Sequence, residues 1–316
     1  MSKALNCPIV FSPTCIGPEA EELKNNLKEG QTLLLENLRF HKGEETNSKD
    51  FSEDLSLRID YFVNDAFSCS HRKHSSTVGV TNFLPSFMGT HLEKEIKALE
   101  GVLNNPNKPV AAIIGGSKVS TKIGVINFLL KKMDIIIIGG AMANTFVAAK
   151  GLDVGKSLFE KECIDLAKEL IEKSQNNNCN LILPTDFIVS KYLKKNAEYI
   201  ITDFDTMPHD MMALDIGPKS IELINKNINN CKTILWNGPL GAFETYPFDK
   251  GTNKVASHVS SLTKQKKILS VAGGGDTVSA LNNAKVLNDF SYVSTAGGAF
   301  LEWLEGKVLP GIEPIS

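Results

Sequence analysis

The chain is poor in the features that usually announce a function. Its six cysteines, at positions 7, 15, 69, 163, 179 and 231, form no CxxC pair and stand at no Cys/His spacing suited to a metal. This argues against a disulfide framework or a zinc module and leaves free thiols in a reducing compartment. No apolar run reaches the roughly 18 residues of a membrane span. The strongest, IIIIGGAMA from Ile135, is broken by two glycines. The opening MSKALNCPIVF has neither a basic start nor a long apolar core, so no signal peptide is expected. A formal net charge of −2 gives no general pull toward nucleic acid or an anionic membrane, so any anion must be held by local lysines and arginines. Neither a Walker A loop nor GxGxxG occurs, which disfavours a dinucleotide dehydrogenase. No Ser-His-Asp or activated-cysteine arrangement can be argued either. These absences together lead us to expect a cytoplasmic protein with no nucleic-acid or membrane partner; a monomer is expected as well, although the sequence does not fix the oligomeric state.

At 316 residues, with 42% hydrophobic and 22% charged, the chain has the size and composition of roughly two globular domains. Its organising stretch is PVAAIIGGSKVSTK, residues 109–122. It reads as a buried strand, a glycine turn and then a helix whose first turns carry Lys118 and Lys122, four apart and therefore on one face. Free N–H groups beside two ammonium groups form a seat for phosphate. Two lysines on a surface helix are by themselves usually solvated; the buried strand and double glycine before them favour the functional reading.

Before this stretch, short apolar runs at 8–11, 32–35 and 60–63 alternate with polar segments, one of them a helix at 18–27. This is the rhythm of a parallel sheet. The second and third runs end in Glu36-Asn37-Leu38-Arg39 and Asn64-Asp65-Ala66-Phe67, with HRKHSS (71–76) close behind. Ligand groups gather at the carboxyl ends of parallel strands. Arg39 and Arg72 there suggest a second anion site, although either alone would more often be a surface arginine. His71 and His74 flank Arg72 and are expected to supply supporting hydrogen bonds. Residues 87–103 have helical periodicity and end before Pro106, as a connector between two α/β units would.

After it, one theme repeats: apolar strand, glycine-rich loop, helix. Strands are expected at 110–114, 135–138, 233–236, 268–271 and 292–294, each followed by glycines. Five such turns on one rim suggest a nucleotide platform. In GGGDT, Asp276 or Thr277 is expected to cap a helix, or Asp276 to approach Mg²⁺ on nucleotide phosphates while N–H groups hold oxygens. Glu244, closing WNGPLGAFE, could accept from ribose hydroxyls. SQNNNCN, 174–180, reads as a polar surface loop.

The segments LLLENLRFHKGEE, VNDAFSCSHRKHSSTVG, GGSKVSTKIGVI, ILWNGPLGAFE, VAGGGDTVSAL and YVSTAGGAFLEWLEGKVLPG, in this order, closely resemble the phosphoglycerate kinase family. The resemblance runs from about Asn6 to Ile312. It implies an α/β protein of two Rossmann-like three-layer domains with parallel sheets. It also implies a hinged phosphotransferase that moves a phosphoryl group between 1,3-bisphosphoglycerate and ADP-Mg to give 3-phosphoglycerate and ATP in glycolysis. The implied layout is a phosphoglycerate-binding domain at 1–86, an interdomain helix at 87–104 and a nucleotide-binding domain at 105–300. A C-terminal segment, 301–316, would return to the first domain. By the same resemblance Arg39 and Arg72 grip the substrate, and Lys118, Lys122, Gly217, Glu244, Gly274, Gly275, Asp276 and Thr277 hold ATP or ADP. Lys122, Gly297 and Gly298 would serve catalysis, and Asp276 would reach Mg²⁺ mainly through the nucleotide.

The family pattern extends further at the N-terminus, where a DFNVP-type substrate strand, a catalytic arginine and an SHLGRP-type loop are usual; none is found in this sequence. The first domain is therefore expected to be incomplete, with a strand edge and core surface exposed. A lost transition-state arginine corresponds to a factor on the order of 10³ or more. The alternative reading is thus a catalytically impaired fragment that only binds ATP or ADP, or a split enzyme completed by a separate N-terminal piece. Two smaller departures are Thr14, where the family usually has an acid, and Ala296 in the STAGG loop, tolerable if its φ is negative.

Overall fold

A computed structural model describes residues 2–315. It divides into two compact units, one comprising residues up to Lys94 with those from Val308 onward, the other Glu95–Lys307.

The first unit runs α1 (Ser2–Leu5), β1 (Ile9–Ser12), α2 (Pro18–Asn25), β2 (Thr32–Leu35), α3 (Lys42–Glu45), α4 (Lys49–Ser56), β3 (Phe62–Asn64) and β4 (Ser86–Met88). Pro18 opens α2 with Glu19 and Glu21 in its first turn, a sequence suited to a helix N-terminus. All pairings are parallel, but the strands form two separate two-stranded sheets, β1 with β2 and β3 with β4. Phe11, Val63 and Phe87, one from each of three strands, are 52%, 55% and 52% exposed. The C-terminal residues pack into this unit, where Gly311 N–H donates to Ser70 O (2.8 Å) and Asn64 Nδ2 donates to Gly311 O (2.9 Å).

The helix expected from residue 87 starts later. Phe87 lies in β4 opposite Val63, and α5 runs Thr90–Leu103. Asp65 Oδ1 accepts from the N–H groups of His91 (2.6 Å) and Leu92 (2.9 Å), which satisfies the first turn and fixes the start. Helical spacing alone cannot separate a three-residue strand from the helix behind it.

The second unit continues with β5 (Val110–Ile114), α6 (Ile123–Leu129), β6 (Ile135–Ile138), α7 (Met142–Ala149), α8 (Ile164–Asn176) and β7 (Asn180–Ile182). Then come β8 (Asp186–Ser190), β9 (Ile200–Asp203), β10 (Met212–Ile216), α9 (Pro218–Ile228), β11 (Thr233–Asn237) and α10 (Lys250–Lys264). The unit closes with β12 (Leu269–Gly273), α11 (Gly275–Asn283), β13 (Tyr292–Ser294) and α12 (Gly298–Leu304). Six parallel strands form one sheet in the order β13-β12-β11-β5-β6-β7. Ala111, Ile113, Ile137 and Trp236 share a core with residues of α9, α10 and α11, while Ala112, Ile114, Ile136 and Ile138 are equally buried. Both sheet faces are therefore covered, which explains the unbroken Ile and Val runs.

Two parts of this unit differ from the expectation. Residues 174–180 are not a free loop: α8 runs to Asn176, β7 begins at Asn180, and Ser174 and Cys179 are buried. Asn178, at φ 55°, makes the tight reversal that lets so polar a run join helix to strand. The three-stranded antiparallel sheet β10-β8-β9 was not anticipated; β8 and β9 lack the glycine punctuation that marked the strands of the large sheet. No helix among the described residues is long and apolar enough to cross a membrane.

Candidate active site

The sheet order reverses between β5 and β11: the chain runs outward from β5 through β6 to β7, and from β11 through β12 to β13. Crevices at such reversals, outside the strands' carboxyl ends, hold ligands in open α/β sheets. Here the loops after β5, β6 and β11 touch backbone to backbone. Gly115 N–H donates to Asn237 O (2.9 Å) and Gly140 N–H to Leu240 O (2.9 Å). A Cβ at Gly115 would stand 1.9 Å from Pro239 O, so only glycine permits this approach. The five glycine loops expected from sequence thus lie at the carboxyl ends of five strands of one sheet.

Beside them opens a cleft of about 330 Å³ whose walls include Gly116, Ser117, Pro239, Phe243, Glu244 and Asp276. Its far wall comes from the unanticipated antiparallel sheet, through Phe187 and Met212–Asp215. Asp215 is buried at this wall, with its carboxylate accepting from Gly251 N–H (2.6 Å) and Ile216 N–H (2.9 Å). Burial pushes its acidity well below that of an ordinary carboxyl, and those two N–H groups pull partly back. Gly241 and Gly251 lack side chains where a Cβ would meet Asp215 Oδ1 at 2.1 and 2.4 Å.

Lys122 sits at this rim but not as expected. The helix begins at Ile123, so Lys122 is its N-cap and Lys118 lies in the preceding loop; the two do not share a helical face. The short loop 117–121 is held instead by Glu160, whose carboxylate accepts from Ser120 N–H (2.9 Å) and Ser120 O–H (2.5 Å). Those bonds, joined by Val119 N–H and the nearby Lys118 charge, lower the Glu160 pKa despite partial burial. Lys122 Nζ donates to Asn237 Oδ1, and Asn237 Nδ2 donates to Gly273 O (2.7 Å). Burial pulls the Lys122 ammonium down to about 8, with Asp276 and Glu305 opposing it. Asn237 was quoted in the WNGP segment, but nothing in its spacing marked it as the partner of Lys122.

In GGGDT the N-cap of α11 is Gly274, at φ 96°, and no side chain caps the helix. That corrects the expectation of an Asp276 or Thr277 cap. Thr277 is buried and its Oγ1 accepts from Gly238 N–H (2.7 Å), which ties this loop to the one after β11. Gly275 and Asp276 are exposed. Glu244 and Asp276 both line the cleft, whereas Gly217 does not. Gly217 is the N-cap of α9, where a Cβ would meet Asp186 Cγ at 2.3 Å. Gly297 and Gly298 are exposed at the start of α12, and Ala296, buried, is not at positive φ.

In the first unit Arg39 and Arg72 are exposed, and neither guanidinium has a hydrogen bond or ion pair among the described residues. Their backbones are fixed nonetheless. Arg39 N–H donates to Asn37 Oδ1 (3.1 Å), and Arg72 O accepts from Thr77 Oγ1 (2.7 Å). Arg39 follows β2 and Arg72 follows β3, strands of two different sheets. His74 Nδ1 stands 3.5 Å from Glu44 Oε1. Cys179 and Cys231 are buried thiols pushed up to about 11, which fits an inert role.

The family model described as phosphoglycerate kinase matches residues 1–307. The chain belongs to the phosphoglycerate kinase family. Phosphoglycerate kinases of Rhizobium meliloti (strain 1021) and Brucella melitensis biotype 1 are 50% and 51% identical to it over 313 residues. Those matches take in 99% of this chain and 78% and 79% of the relatives. The solved phosphoglycerate kinase of Coxiella burnetii is similar in fold, with a TM-score of 0.90 at 40% identity, covering 99% of this chain and 78% of that one. This is a phosphotransferase family, and the α/β fold built on a large parallel sheet is its fold.

Proposed function

We propose that this phosphoglycerate kinase family member transfers a phosphoryl group between 1,3-bisphosphoglycerate and ADP, giving 3-phosphoglycerate and ATP in glycolysis, in the cytoplasm. The observation that carries the nucleotide half is the convergence of glycine loops from β5, β6 and β11 on a cleft lined by Glu244 and Asp276. Glu244 accepts from the nucleoside end, and the N–H groups of Gly274 and Gly275 meet the phosphates. Thr277 supports them through Gly238, and Gly217 shapes the α9 start behind the cleft wall. Lys118 and Lys122 neutralise phosphate oxygens, and Gly297 and Gly298 offer N–H groups to the group in transit. Arg39 and Arg72, with free guanidinium forks, hold the phosphoglycerate.

The residues present suit Mg²⁺ in the way nucleotide sites usually do. No cluster of three or more acidic, His or Cys ligands occurs among the described residues, and of the two exposed carboxylates that line the cleft, Glu244 and Asp276, Asp276 stands at the start of α11 beside the glycine loop. Mg²⁺ is normally held by one or two carboxylates together with substrate phosphates, and Asp276 fills that part. The ion supplies charge neutralisation on the nucleotide phosphates.

Phosphoryl transfer asks little covalent help of a protein; in-line positioning and charge neutralisation suffice. A site built of Lys, Arg and backbone N–H groups fits that demand. Lys122, drawn down to about 8 when unliganded, is held on Asn237 until phosphate oxygens replace that partner and stabilise its charge. The comparisons lend no support to a fragment that binds nucleotide without turnover. Calorimetric titration tests the assignment: ATP-Mg binding should fall on altering Lys122 or Glu244, and 3-phosphoglycerate binding on altering Arg39 or Arg72. If altering the arginines left 3-phosphoglycerate binding intact, the second half would be wrong.

A further inference from the structure

Glu44 is a buried carboxylate on α3, 3% exposed, in a segment that the proposed reaction does not use directly. Its two oxygens divide over one residue of the 71–76 loop: Oε1 accepts from Ser76 O–H (2.6 Å) and Oε2 from Ser76 N–H (3.0 Å). Oε1 also stands 3.5 Å from His74 Nδ1, and Glu44 O accepts from Ser75 N–H (2.9 Å). Ser75 Oγ adds a bond to Gly43 O (3.0 Å). One short helix therefore holds three successive residues of a loop more than 25 positions away in sequence.

Both ends of this tie lead to the exposed arginines. Upstream, Glu44 N–H donates to His41 O (3.1 Å), and His41 N–H donates to Leu38 O (3.0 Å), which carries the connection to the turn bearing Arg39. Downstream, Thr77 Oγ1 donates to Arg72 O (2.7 Å) and accepts from His74 N–H (3.1 Å), so the loop closes on the residue that carries the second guanidinium. Arg39 and Arg72 follow strands of different sheets, so no shared ladder sets their separation. Glu44 is the buried charged group that spans the two segments among the described residues, with the buried Ser75 hydroxyl beside it.

We propose that Glu44 is a positioning residue that joins the Arg39 turn and the Arg72 loop into one anion-binding surface. It rests on the reading of the two arginines as the phosphoglycerate site. A carboxylate forked over an N–H and an O–H fixes direction as well as distance, which neither a backbone bond nor a neutral amide does as well. Bidentate gripping of a phosphate by two arginines needs that direction, since a misplacement of about 1 Å can cost about 100-fold.

The test uses the full chain and its variants Glu44→Gln, Ser76→Ala and the double variant. It measures 3-phosphoglycerate affinity, ATP affinity and amide hydrogen exchange of residues 71–77. Glu44→Gln should raise exchange across 71–77 and weaken 3-phosphoglycerate at least tenfold, with ATP affinity unchanged. Ser76→Ala should do the same to a smaller extent, and the double variant should be no worse than Glu44→Gln alone. Unchanged exchange in 71–77 overturns the proposal. So does 3-phosphoglycerate affinity that survives a rise in exchange, and so does an equal loss of ATP affinity, which would mark a merely structural residue. If wild-type protein does not bind 3-phosphoglycerate, the reading of the arginines fails and the proposal falls with it; the wild-type titration separates that failure from the others.

Discussion

Replacing Lys122 by methionine should separate stability from ligand binding, because the lysine is costly to the unliganded fold and useful only with phosphate present. Burial takes Lys122 from its ordinary 10.5 to about 8. At about 1.4 kcal/mol per pH unit, that corresponds to roughly 3 kcal/mol of disfavoured charge near neutral pH, reduced to about 2 by its partial exposure. Methionine keeps the apolar stem and removes the charge, but it leaves Asn237 Oδ1 without its donor, a loss of about 1–3 kcal/mol if no water enters. The two terms nearly cancel, so the thermal midpoint at neutral pH should stay within a few degrees of wild type. The pH dependence is sharper. Between about 8 and 10.5 the folded lysine has released its proton while the unfolded one keeps it, so wild-type stability should rise with pH across that window. The variant should lack that rise. ATP affinity, by contrast, should drop by about 30-fold or more, the range of one charge-assisted bond. Calorimetric melts from pH 7 to 10 and titrations with ATP-Mg measure both. A flat wild-type stability between pH 8 and 10, or full nucleotide affinity in the variant, would refute the reasoning.

Gly115→Ala should destabilise the protein by several kcal/mol, seen as a lower denaturation midpoint, because its Cβ would collide with the Pro239 carbonyl rather than with a movable side chain. Asp215→Asn should lower stability by about 1–3 kcal/mol, measured by urea unfolding, since an amide must turn an N–H toward one of the two backbone donors the carboxylate now accepts from. Arg72→Lys should weaken 3-phosphoglycerate binding about tenfold without changing ATP binding, because a single ammonium cannot fork over a phosphate. Glu160→Gln should loosen the loop bearing Lys118, raising amide exchange at residues 117–121 and weakening ATP more than 3-phosphoglycerate.

The parts most legible in sequence were those set by one strong local signal. Buried parallel strands followed by glycine gave β5, β6 and β13 to the residue, because both faces of that sheet exclude water and only glycine permits the loop contacts. The paired lysines were misread for a local reason as well: a four-residue spacing suits a helix, yet Glu160 pins Ser120 in a loop and delays the helix to Ile123. That competition comes from a residue 40 positions away, which spacing cannot show. The cleft's far wall escaped for a related reason. Strands β8, β9 and β10 pair antiparallel in a small side sheet, and Asp215, the buried acid of β10 that accepts from Gly251 of α10, looks in sequence like an ordinary aspartate in LDIGPKS. Arg39 and Arg72 were singled out through their strand ends, but the helix that joins their segments was not.

The most direct test of the account is turnover by the purified chain. ATP-Mg and 3-phosphoglycerate are supplied together, and the acyl phosphate formed is consumed by a coupling dehydrogenase whose absorbance change is recorded. The account predicts turnover that needs both substrates, that is abolished or reduced at least a hundredfold in Lys122→Met, and that persists at a raised 3-phosphoglycerate requirement in Arg72→Lys. Saturable nucleotide binding with no turnover above background at any substrate concentration would contradict it.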